Sequence, residues 1–363
     1  MSKQKRYDYI DILRSMSIFF VVLIHTSDSI VWASDWFNQN PKWWWTAAIF
    51  DMISTPGVNI FIMISGLLLL YPSKDESVKT FLRKRFLRIL PPFIIWSVIY
   101  WRWSVYINEE IIPLQGALRS FADGGLYYHL WFMYMILLLY LLTPLFRIIT
   151  KHAEDKLLFY AVAVWFCLVV ILPEVQRFFQ LEGSGIEITS FLNYAGYFFF
   201  GAYLRNKKLR KWRHWGLDIS FILGSFAYTT YELYKHTKAA GGYLEDLPYD
   251  FNFAPSVAVL SISIFLFVKS IPWEKLLDRV KGWRPIIHLM GRASFTVYLA
   301  HPIILETLEA GYFGFTLYGA KFNPLFAIPI TAGLTFLLCT LAYMLYDFFL
   351  HMVLPKKEYK IFR

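Results

Sequence analysis

Four ionisable residues on one apolar stretch carry the chemical interest of this chain. Residues 10–31 are long and apolar enough to cross a bilayer as one helix, yet they hold Asp11, Arg14, His25 and Asp28. Ionisable groups inside a span are costly, so they mark functional candidates by default. Arg14 and His25 are eleven residues apart, three helical turns plus about 20° of rotation, so both project from one face. Asp11 precedes Arg14 by one turn and Asp28 follows His25 by one turn, the spacing at which helical side chains meet. A cation near the helix start and an imidazole about 16 Å further along therefore share a stripe. Histidine titrates near neutrality and serves as a general base toward a hydroxyl. A carboxylate one turn away orients the ring and stabilises its cation. The stripe is expected to wall a reaction tunnel, with His25, Asp28 and Arg14 as its catalytic set. A structural alternative stands beside this. Asp11 and Arg14 pair at the interface while Arg14 snorkels, and His25 hydrogen-bonds between packed helices.

The elements that must hold such a stripe follow from composition. Of 363 residues, 57% are hydrophobic, in long apolar runs, which means a chain embedded in the membrane throughout. Ten spans are expected, at about 10–31, 46–70, 86–106, 127–149, 156–173, 188–204, 214–234, 252–268, 286–308 and 324–350. Fourteen Trp and 24 Tyr suit interfacial belts, with WWW at 43–45 and WRW at 101–103 near expected helix ends. In a soluble protein the net charge of +10 would suggest nucleic acid. Here Lys and Arg concentrate in every second connection, from Lys74 to Arg88, Arg147 to Lys156, Arg205 to Arg213, Lys269 to Arg284 and Lys356 to Arg363. The positive-inside rule then places both termini in the cytoplasm, with membrane lipids rather than nucleic acid as surroundings. The expected fold is all-α, one polytopic integral-membrane domain over 1–363. Cys167 and Cys339 lie in apolar spans and say nothing about redox compartment. The N-terminus shows no convincing cleavage site, so the first helix is expected to be retained.

This topology assigns depth. His25, His129 with Trp131, and His301 fall at comparable outer depth on three helices, whereas Ser294 and Asn59 lie deeper. Each histidine alone is equally a packing residue, and depth does not say which helices are neighbours. On the cytoplasmic side, FLRKRFLRILPP at 81–92 puts Arg85 and Arg88 one turn apart, with Arg83 beside them. Guanidinium forks suit phosphate oxygens; they equally hold anionic lipid headgroups. Pro91 and Pro92 are expected to bend or restart this helix. No Walker loop, G-x-G-x-x-G, G-x-S-x-G or HExxH is present. No metal is expected, because His25-x-x-Asp28 has no matching ligand motif.

With these residues in place the chain resembles the bacterial membrane acyltransferase-3 family, in particular its stand-alone members that O-acetylate envelope glycans. The resemblance rests on YIDILR with Arg14-x10-His25, GVNIFIMISGLLLL at 57–70, RKRFLRILPPF at 83–93, YYHLWFMYMILLLYLLTPL at 127–145 and SFTVYLAHPII at 294–304. The arrangement around HLWF and TPL is most similar to enterobacterial-common-antigen O-acetyltransferases. The resemblance implies an acyl-CoA donor, usually acetyl-CoA, bound from the cytoplasm by Arg85, Arg88 and Arg83. It implies a glycan or lipid-linked saccharide acceptor, approached from outside near His129, Trp131, His301, Ser294 and Asn59. It also implies residence in the bacterial inner membrane. His25 matches the family's essential histidine and Arg14 its paired arginine. Asn59 and Ser294 are candidate donors to the developing oxyanion. A transporter or flippase of a lipid-linked sugar is the contrasting class, and oligomeric state is left open.

Overall fold

The computed structural model describes residues 7–32, 35–72, 76–108, 112–178, 193–205, 207, 215–244, 251–280 and 282–353. Every regular element among them is helical. In chain order these are α1 (Asp8–Val31), α2 (Trp36–Gln39), α3 (Pro41–Ser54), α4 (Gly57–Leu69), α5 (Val78–Asn108), α6 (Leu114–Ala122) and α7 (Trp131–His152). Then follow α8 (Asp155–Trp165), a π-helical stretch (Phe166–Ile171) and α9 (Leu172–Phe178). The remainder are α10 (Ala195–Leu204), α11 (Trp215–Ala239), α12 (Pro255–Ser270), α13 (Trp273–Arg279), α14 (Trp283–Ala310) and α15 (Pro324–Val353).

Among the described residues five helical segments are long and apolar enough to cross a membrane: Asp8–Val31, Pro41–Leu69, Trp131–His152, Asp155–Gln176 and Pro324–Met352. A sixth arises if α12 and α13, bent by 59°, form one span. The protein is thus an all-α, multi-pass membrane protein. The expected spans at 86–106, 214–234 and 286–308 also lie on helices, but these carry charge along their length. Examples are Arg88 and Arg102 on α5, Asp218 and Glu232 on α11, and Arg292 and Glu306 on α14. Residues 188–192 of the expected 188–204 span, Lys74, residues 208–213, residues 245–250 and the tail from Lys356 lie outside the described residues.

One expectation is corrected. Pro91 and Pro92 do not restart the helix, and α5 runs unbroken from Val78 to Asn108. Proline is tolerated inside membrane helices because neighbouring groups satisfy the freed carbonyls. The interruption falls elsewhere. Pro56, which has no N–H to give, separates α3 from α4.

α1 is the central helix, packed against α3, α4, α12, α14 and α15. Leu13, Val22 and Ile30 are wholly buried on it. In lipid no hydrophobic force draws helices together, so close contact and hydrogen bonds must do it. Small residues supply the contact. A Cβ on Gly66 of α4 would collide with the Phe198 carbonyl of α10, and one on Gly201 with the Met63 carbonyl. Gly57 likewise lets α4 approach the Ser17 carbonyl of α1, and Gly291 lets α14 approach Asp11.

Candidate active site

The C-terminal part of α1 carries the imidazole. His25 Nδ1 lies 2.9 Å from Asp28 Oδ2. A carboxylate accepts, so Nδ1–H donates and Nε2 keeps its lone pair. Asp28 reaches the Asp51 carboxyl of α3 in turn. Asp51 Oδ2 accepts from Ser27 Oγ at 3.2 Å and from Trp32 Nε1 at 3.3 Å. Asp51 is buried and braces α3 against the very turn of α1 that holds the pair. Its role was not legible in the sequence, where it is one acidic residue near a span end.

Two further histidines join this ring from other helices. His301 of α14 stacks on His25, with centroids 5.3 Å apart and planes 19° from parallel. His129, just before α7, meets His301 edge-on at 5.3 Å. Local sequence sets the His301 ring. Pro302 cannot continue the helix ladder, so the carbonyl four residues back, Tyr298 O, loses its amide donor. His301 Nδ1 donates to that carbonyl at 2.7 Å instead. Its Nε2 is thereby left without a proton, buried and with no partner among the described residues. The adjacent Leu299 carbonyl takes Tyr100 Oη–H at 2.6 Å, and Tyr298 Oη–H donates to the His129 carbonyl. The HP dipeptide therefore fixes the His301 ring, while the two tyrosine hydroxyls tie α14 to α5 and to the start of α7.

A cavity of about 200 Å³ opens beside these rings, lined by Ser17, Val21 and His25 of α1, by His129 and Trp131, and by Tyr298 of α14. Its floor is the α3–α4 break, where Ser54 and Thr55 turn their hydroxyls back onto their own helix. Trp131 stacks on Tyr194 at 5.8 Å from the cavity wall. The remaining expected residues fall differently. Asn59 is buried and spends its amide on the Asn252 carbonyl (3.0 Å) and on Ser261 (3.2 Å), leaving Oδ1 unpartnered. Ser294 donates to the Gly291 carbonyl of its own helix at 3.1 Å, and its hydroxyl is not among the cavity-lining groups.

The N-terminal end of α1 is built from charges. Asp8 accepts from His288 Nε2 at 2.9 Å and faces Arg284 at 3.3 Å. Asp11, also buried, lies 3.9 Å from His288 and 4.0 Å from Arg14. Asp8 and Asp11 thus clamp α1 to α14, and Arg14 sits beside Asp11 at this end of the helix, about three turns from His25.

On α5, Arg85 lies over the Phe81 ring (5.5 Å) and near Tyr140 of α7 (5.9 Å). Its Nε has no hydrogen-bond partner among the described residues. Arg147 of α7 covers Phe81 more closely, at 4.2 Å, and donates to the Leu69 carbonyl that ends α4. Arg88 and Arg83 are exposed, with Arg83 roughly 200° around the helix from Arg85. Arg85 and Arg88 share a side of α5; Arg83 does not. Among the described residues no group of three or more His, Cys, Asp or Glu is placed to hold a metal ion.

An oriented imidazole with a free Nε2, at the wall of a cavity inside a membrane protein, suits proton transfer from a hydroxyl. Searches against curated proteins and against solved structures gave no match. The acyltransferase-3 family profile, described as an acyltransferase domain, matches residues 7–344. The helix bearing Arg14 and His25, the arginine-rich entry of α5 and the histidine–proline segment of α14 all lie within that match, and the chain belongs to the acyltransferase-3 family.

Proposed function

We propose that this acyltransferase moves an acetyl group from cytosolic acetyl-CoA to a hydroxyl of an envelope glycan or lipid-linked saccharide. The observation that carries the reading is the His25–Asp28 pair, 2.9 Å apart, in the wall of the apolar cavity. His25 Nε2 takes the proton of the acceptor hydroxyl as its oxygen attacks the thioester carbonyl. Collapse of the tetrahedral intermediate expels the coenzyme thiolate, which recovers that proton from the imidazolium. Asp28 holds the ring and stabilises its cation meanwhile. The same Nε2 is the atom that would carry the acyl group in a two-step route. Labelled acetyl retained on denatured protein without acceptor separates the two.

Donor phosphates are assigned to Arg85 and Arg88, whose shared side of α5 suits charge-assisted bonds to phosphate. The loop charges support ten spans, both termini in the cytoplasm, a single domain over 1–363 and residence in a bacterial inner membrane. The testing experiment incubates purified protein with acetyl-CoA and a glycan acceptor. It follows thiol release together with the mass of the glycan. Stoichiometric thiol and acetylated glycan support the reading. Glycan movement across vesicles without thiol release would instead identify a flippase. Activity is expected to fall at acidic pH, where Nε2 is protonated, and a pH–rate profile checks this.

A further inference from the structure

His25 has an aromatic neighbour that is not buried. Tyr128 meets the His25 ring edge-on, with centroids 4.8 Å apart, yet it is 50% exposed. The rings behind it are fixed. Tyr127 packs against Tyr128 at 5.0 Å and stacks on buried Tyr100 at 4.5 Å. Both oxygens of Glu306 on α14 are used to hold this wall, one accepting from Tyr127 Oη–H and the other from Trp103 Nε1–H. Glu309, one turn on, is exposed and within electrostatic reach of Glu306 and of Tyr128.

Two features decide what faces Tyr128. Carboxylates are not placed against acyl chains, so Glu309 and Asp28, whose side chain is 36% exposed, mark this face as aqueous. An exposed ring in contact with the base also offers an acceptor a surface beside the imidazole it has to reach. A flat aromatic face suits the apolar C–H face of a sugar ring, leaving the hydroxyls to the polar surroundings.

We propose that Tyr128 is the platform on which the acceptor sugar stacks, and that Glu306 and Glu309 beside it select uncharged or cationic sugars against those bearing a carboxylate. The inference rests on the acyl-transfer reading above and adds the chemical class of the acceptor. An anionic sugar seated on Tyr128 would face two carboxylates, and such juxtaposition of like charges is a common source of partner rejection.

The test uses full-length protein with acetyl-CoA and three glycosides matched except for charge: a neutral hexoside, an amino-sugar glycoside and a uronoside. Wild type is expected to favour the neutral and amino-sugar acceptors over the uronoside by about tenfold or more in kcat/KM. Tyr128→Leu should raise acceptor KM about tenfold with kcat changed far less, and Tyr128→Phe, which keeps the ring, should restore most of the loss. The double variant Glu306→Gln with Glu309→Gln should erase most of the discrimination against the uronoside.

A Tyr128→Leu defect confined to kcat would make the ring a packing partner of His25 and overturn the platform. Equal use of the uronoside by wild type, or unchanged selectivity in the double variant, would overturn the charge filter. Thiol release with no glycoside acylated would overturn the glycan reading itself, and this inference with it. Acylated glycosides with indifferent variants would overturn this inference alone.

Discussion

The two ends of α1 use ionisable residues in opposite ways. At the N-terminal end Asp8 and Asp11 are buried and engaged by His288, Arg284 and Arg14, all within 4.0 Å. Toward the C-terminal end His25 has a carboxylate partner on one nitrogen and, among the described residues, none on the other, beside a cavity. Charges that satisfy one another fix helices in register; a group satisfied on one side only remains available for chemistry. On the proposed reading the stripe is an anchor at the N-terminal end of α1 and a reactive centre toward its C-terminal end.

This contrast can be broken from either end. The largest loss belongs to His25→Ala, which should lower acyl transfer by about 10³ or more. Asp28→Asn comes next, with kcat reduced by about 10², because the ring loses the acceptor that fixes its tautomer. An Asp28→Asn enzyme with normal kcat would show that the pair is an incidental contact. Arg85→Glu combined with Arg88→Glu should weaken donor binding by about tenfold or more, since charge-assisted bonds to phosphate become repulsions. Unchanged acetyl-CoA affinity by equilibrium binding would return these arginines to lipid anchoring.

The N-terminal anchor should respond differently. Asp8→Ala removes a buried carboxylate that accepts from His288, and should cost about 1–3 kcal/mol of stability. Thermal unfolding in detergent reads that loss, while kcat of the surviving protein should fall much less than in Asp28→Asn. A larger loss of kcat than of stability would mean that the N-terminal end takes part in the chemistry.

The sequence made the α1 stripe legible because helical periodicity is local, and eleven residues return to the same face. It placed helices correctly around the arginine-rich entry and the late histidine. It did not show that His25, His129 and His301 touch, because contact between helices depends on tertiary packing that spacing within a helix does not contain. Asp51 and Tyr128 were hidden for a related reason. Each is ordinary in its own helix or loop, an interfacial acid and a belt tyrosine, and acquires a role only through α1. Pro302 stands in the late SFTVYLAHPII segment, but the carbonyl it frees, and the histidine that takes it, became evident only with the chain folded.

The central claim is that His25 acts in the transfer step and not in assembling the protein. The most direct measurement compares wild type and His25→Ala in one membrane preparation with protein level matched, recording acetyl-CoA affinity and the transfer of labelled acetyl to a glycan. The expected result is donor affinity within about twofold of wild type with transfer lost, because the determinants of topology and donor binding lie elsewhere. Substantial residual transfer in His25→Ala would contradict the account, reduce this histidine to a packing hydrogen-bonder and move the base to His129 or His301.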